Sequence, residues 1–199
     1  MSAADLNPPS PLASLALPAR KAMIAMTVGA AAALIGVWLT PDARLVGAVL
    51  AFALAWAAAV DIDRFILPDL LTLGLVVLGL CLALASGIDA ARPYILGTVL
   101  GYGSLASLAW IYRRVRGRNG LGMGDAKLLA AAGAWLGWAA LPFVILIASL
   151  TCLISIGLLA AIQMRSTPKQ PMLAAYIPFG PYLACAIFIV WLAQKSGHV

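Results

Sequence analysis

Residues 45–64 read LVGAVLAFALAWAAAVDIDR: sixteen apolar residues without a charge, then two aspartates and an arginine. An uninterrupted run of this kind is close to the ~20 residues that cross the hydrocarbon core of a bilayer as a helix. The acids at its end are the departure that needs a reason.

Working outward, similar runs recur at about 22–39, 70–86, 94–112, 126–141, 143–163 and 177–193. Over the 199 residues, 64% are hydrophobic and 10% are charged, and the mean hydropathy is +1.03. No soluble domain has this composition, and little chain remains for one. The pattern predicts an all-α, polytopic integral membrane protein of about seven transmembrane helices, each satisfying its own backbone. Residues 1–20, rich in Pro, Ser and Ala, lack the basic region and apolar core of a cleaved signal and read as a flexible tail before a transmembrane domain at 21–195.

The fifth run is the least distinct, with Pro142 as the only punctuation before the sixth. Charge favours separating the two. With a cytoplasmic N-terminus and seven spans, one side receives Arg20, Lys21, Arg64, Arg113, Arg114, Arg116, Arg118, Lys127, Arg165 and Lys169, and the other Arg44, Arg92 and Lys195. This satisfies the positive-inside rule. Merging the runs would carry Arg165 and Lys169 across. The net charge of +6 therefore requires no nucleic-acid partner. The run RRVRGR at 113–118 reads first as a topology signal near anionic headgroups, with contact to a partner or substrate as an alternative.

The chain has seven aspartates and no glutamate. Asp5 falls in the tail, and Asp42 and Asp89 in expected outer loops. Asp61, Asp63, Asp69 and Asp125 all map to the cytoplasmic ends of helices. Asp42 and Asp69 follow prolines and open apolar helices, where a carboxylate suits free backbone N–H groups. Asp125 precedes AKLLAAAG, so capping and catalysis both fit it. Asp63, beside Arg64, reads as a solvated loop charge. Asp61 has no comparable excuse, because it stands at a helix C-terminus, where the dipole disfavours an anion. Ionisable groups kept at such positions mark functional sites.

Absent residues narrow the chemistry. The single histidine, His198, lies in the C-terminal tail, so Ser104 in GYGSL has no histidine partner and reads as helix-packing glue. There is no HExxH, and Cys81, Cys152 and Cys185 are isolated within expected helices, as small core residues rather than zinc ligands. No cofactor or metal is expected. Paired carboxylates remain. Two aspartates at short range hold one proton between them, one acting as base toward water and the other as acid toward a carbonyl oxygen. Gly122 and Gly124 beside Asp125 would permit close backbone approach and unusual dihedrals.

Three segments in this order, DIDRFILPD at 61–69, GMGDAKL at 122–128 and IPFGPYLA at 177–184, resemble the signature segments of the type IV prepilin peptidases, GxGD-class intramembrane aspartyl proteases. The resemblance spans roughly 45–195. It implies removal of the short basic leader of prepilins or pseudopilins at the cytoplasmic face of the inner membrane, with Asp61 and Asp125 as the catalytic pair. Gly122, Gly124, Asp63, Asp69 and Lys127 fall in the motifs as support, with Asp63 and Asp69 as attractors for the leader's lysines. The expected partners are a pilin-like substrate with a hydrophobic N-terminal helix and the lipid bilayer. Many members also carry a cytoplasmic domain with paired CxxC motifs and N-methyltransferase activity; lacking those cysteines, this chain is expected not to methylate. The competing reading is a non-enzymatic transporter or assembly factor using the aspartates for cations or protons.

Overall fold

The computed structural model describes residues 31, 44–64, 67–117, 122–165 and 178–196, and among them every regular element is helical. In chain order these are α1 (Arg44–Arg64), α2 (Asp69–Ala85), α3 (Ile88–Arg116), α4 (Met123–Leu136), a 3₁₀ turn (Trp138–Ala140), α5 (Leu141–Arg165) and α6 (Gly180–Lys195). The run at 22–39 and the tail at 1–20 lie outside the described residues apart from Ala31, which is helical. Segments Leu45–Asp63, Ile88–Arg116 and Trp138–Leu158 are long and apolar enough to cross a membrane, and α2 and α6 are shorter apolar helices. With 29 residues, α3 is about 44 Å long and exceeds a ~30 Å hydrocarbon core.

The fifth run is not the weakest element but the centre of the molecule. In α4, Ala126 and every residue from Leu128 to Leu136 are buried, because α4 packs against α3, α2 and α6 at once. Its 14 residues reach only about 21 Å. The break before α5 falls at Gly137 rather than at Pro142. Gly137 closes α4 at φ 81°, its N–H donating to the Gly133 carbonyl, a left-handed region that favours glycine. Pro142 then sits in the first turn of α5, where its missing N–H costs no helical bond.

The bundle falls into two groups. α2, α3 and α4 pack on one another, as do α1, α6 and α5 through α6, and α4 against α6 joins the groups. Among the described residues α1 and α4 scarcely touch. The α3–α4 crossing is backbone on backbone: a Cβ on Gly97 would stand 2.7 Å from the Gly133 carbonyl oxygen, and one on Gly101 would stand 2.5 Å from that of Leu129. Small residues permit this approach, which supplies dispersion contact where lipid offers no hydrophobic drive. Trp135 ties α4 to α2, its ring filling the notch at Gly79 and its indole N–H donating to the Leu75 carbonyl at 2.8 Å.

Two expectations are corrected. Cys81 and Cys185 are exposed rather than buried, and Cys152 is half-buried; on lipid-facing helices a thiol is as acceptable outside as inside. Ser104 is exposed on α3 rather than packed between helices, its hydroxyl donating to the Gly101 carbonyl of its own helix at 3.1 Å. Outward faces carry large apolar side chains throughout, among them Leu70, Val77, Leu96, Val99, Leu146 and Leu153, as a bilayer requires.

Candidate active site

Asp61 lies in the last turn of α1 and is 5% exposed. Its position at a helix C-terminus is offset by another helix: Oδ2 accepts the backbone N–H of Gly180, the first residue of α6, at 3.0 Å. Helix N-termini present free N–H groups and a partial positive charge to anions. The approach leaves no room for a side chain, since a Cβ on Gly180 would lie 2.5 Å from Oδ2 and 2.9 Å from Cγ of Asp61. Pro181 follows at a position where no helical N–H is needed.

Asp125 sits in the first turn of α4, outside the three candidate spans. It is not the N-cap residue; Gly122 is, with φ −70° and ψ 128°. That is ordinary extended backbone, so Gly122 needs no unusual dihedral, contrary to the sequence expectation. Gly124 is constrained by closeness instead. A Cβ there would lie 2.9 Å from Cδ1 and 3.0 Å from Cβ of the buried Leu67, so Leu67 occupies the space beside the turn that carries Asp125. Burial, and then the nearby charge of Asp61, push the Asp125 carboxyl up from 3.8 to about 6. The structure thus brings the two sequence-selected acids within electrostatic reach of each other, one from each half of the bundle.

Asp69 was expected to cap its helix. Pro68 is the N-cap residue and no side-chain cap bond forms; Asp69 pairs through Oδ1 with Nζ of Lys127. Lys127 is half-buried and Asp69 largely exposed. Asp63 lies half-buried in the last turn of α1. Arg113, Arg114 and Arg116 occupy the last turn of α3, which Gly117 closes at φ 65°. Leu67 was not anticipated as a site residue, and Gly180 entered only within the PFGP segment, where a glycine between Phe179 and a helix-opening proline was the available signal. Among the described residues, no three His, Cys, Asp or Glu side chains converge so as to hold a metal ion.

Apolar helices of spanning length, with two carboxylates within electrostatic reach of each other, define a helical membrane protein with an acidic pair. Residues 48–157 match the Type IV leader peptidase family, and the chain belongs to that family. It is 38% identical over 183 residues to a prepilin leader peptidase/N-methyltransferase of Aeromonas salmonicida, covering 91% of this chain and 60% of that protein. It is 40% identical over 167 residues to the like-named protein of Burkholderia pseudomallei, covering 83% and 52%, and 42% identical over 166 residues to that of Dickeya chrysanthemi, covering 83% and 56%. The chain spans between about half and three fifths of these relatives. No solved structure matches it.

Proposed function

We propose that this chain is an aspartic endopeptidase that removes the leader of prepilins or pseudopilins at the cytoplasmic face of the inner membrane. The observation that carries the reading is the Asp61–Asp125 juxtaposition, with the charge of Asp61 acting on the Asp125 carboxyl. Family membership and relatives named prepilin leader peptidases support it. The helix count is seven spans with the N-terminus inside, supported by the ten-to-three division of basic residues.

The reaction follows from the acids. Asp61, aimed by the Gly180 N–H, takes a proton from water as the hydroxide equivalent attacks the scissile carbonyl. Asp125, which holds its proton up to about pH 6, donates it to the carbonyl oxygen as the tetrahedral intermediate forms. Collapse returns the proton of the intermediate's hydroxyl to Asp125, while the proton on Asp61 passes to the leaving amine. The substrate's hydrophobic helix lies against the bundle, and its leader enters at the end where Asp61 and Asp125 meet.

The test is cleavage of a prepilin in membranes, read by mass spectrometry of the new N-terminus, which is expected to be unmethylated. Asp61→Asn and Asp125→Asn should each abolish processing while still unfolding cooperatively in detergent. Full cleavage by either folded variant overturns the pair.

A further inference from the structure

Each acid of the site is held by a different neighbour. Asp61 is aimed by α6 through the Gly180 N–H. Asp125 is not the N-cap residue of its helix, a place that Gly122 holds, and that helix scarcely touches α1; besides the α4–α6 packing, contacts made at the start of α4 itself set how closely its first turn approaches Asp61. Two contacts reach that turn from one short segment, residues 67–69. Leu67 is packed where Gly124 would carry a Cβ, and Asp69 binds Lys127, two residues beyond Asp125. The first excludes closer approach to residues 67–69; the second prevents withdrawal.

The ion pair is suited to that task. Lys127 keeps only 24% of its side chain exposed, against 64% for Asp69, so its stem lies along protein surface and the search for the partner carboxylate is narrowed. Asp69 stands in the first turn of α2, where the dipole favours an anion and anchors its end of the pair. A wholly exposed pair contributes little to stability. This one joins residues 58 apart in sequence two residues along α4 from a reacting group, where displacement by an ångström costs far more in rate than in folding.

We propose that Asp69 and Lys127 act together as a positioning latch that fixes the first turn of α4, and with it Asp125, opposite Asp61. The inference rests on the peptidase reading for its kinetic consequence, but the geometry it asserts is independent of that reading. It also removes Asp69 as an attractor for the leader's lysines, since its carboxylate already holds one.

Two measurements test it in the full chain. In the cleavage assay, Asp69→Asn and Lys127→Gln should each lower kcat by about 10-fold to 100-fold, leaving KM within about twofold. The double variant should lose no more than the worse single one, because both remove one interaction. Lys127→Arg, which keeps the pair, should recover most of the rate. Multiplied losses, a raised KM with kcat intact, or undiminished kcat overturns the latch. The second measurement needs no activity. With Cys81, Cys152 and Cys185 replaced by Ser, thiols placed by Asp61→Cys and Asp125→Cys should be bridged by dibromobimane, which fluoresces once both arms react. Adding Lys127→Gln should reduce that bridging several-fold, and Lys127→Arg should restore it. Unchanged bridging refutes the latch even if Lys127→Gln impairs folding or catalysis. Bridging that responds as expected while the wild type cleaves no prepilin refutes the peptidase reading alone.

Discussion

The backbone N–H of Gly180 donates to Oδ2 of Asp61 across 3.0 Å, so the start of α6 holds the acid at the end of α1. A methyl group at residue 180 would stand 2.5 Å from that oxygen, well inside contact. Gly180→Ala should therefore swing Asp61 off its hydrogen bond and reduce prepilin cleavage by about 100-fold or more. The strain should also lower stability by about 1–3 kcal/mol. Cleavage rate and unfolding midpoint measured on one preparation check both. A variant cleaving at the wild-type rate would mean that the Asp61 position does not depend on α6.

Glycines along the helices divide by what faces them. A Cβ on Gly133 would overlap the carbonyl group of Gly97, whereas one on Gly103 or Gly74 would meet nothing within 4 Å. Gly133→Ala should force α3 and α4 apart and cost about 1–3 kcal/mol, a shift of several degrees in the unfolding midpoint. Gly103→Ala and Gly74→Ala should leave the midpoint within about a degree or raise it slightly, since alanine is the better helix former. Equal effects at all three positions would refute the close crossing.

These contrasts also explain what was legible in the sequence. The apolar runs from 45 onward correspond to α1–α6 because hydrophobic length survives any packing arrangement. Asp61 stood out because it violates a local rule, and the violation is relieved by Gly180, 119 residues away. The break after α4 was misplaced because GAWLG at 133–137 carries two glycines four apart, one serving the α3 crossing and one the left-handed stop. Nothing local separates those roles. Asp69 looked like a cap because the Lys127 partner lies 58 residues on. Cysteine burial was misread because a helix in lipid is apolar on both its packed and its exposed faces, which erases the periodic contrast that marks a core.

The Asp125 carboxyl binds its proton more tightly in the folded chain than at the ordinary value of 3.8, releasing it at about 6. Between about pH 4 and pH 6 the folded state retains a proton that the unfolded chain has lost. Wild-type stability should therefore fall as pH rises through that window and level off above it. Because the group is partly solvated, the loss should be about 1–2 kcal/mol rather than the full equivalent of the shift. Asp125→Asn, which cannot ionise, should escape it. In detergent at pH 7.5 the variant is expected to unfold a few degrees above the wild type, and at pH 4 the two midpoints should converge, although the variant cleaves nothing at either pH. A wild type as stable as the variant at pH 7.5 would mean that Asp125 ionises without penalty, removing the basis for its role as the proton-holding partner of Asp61.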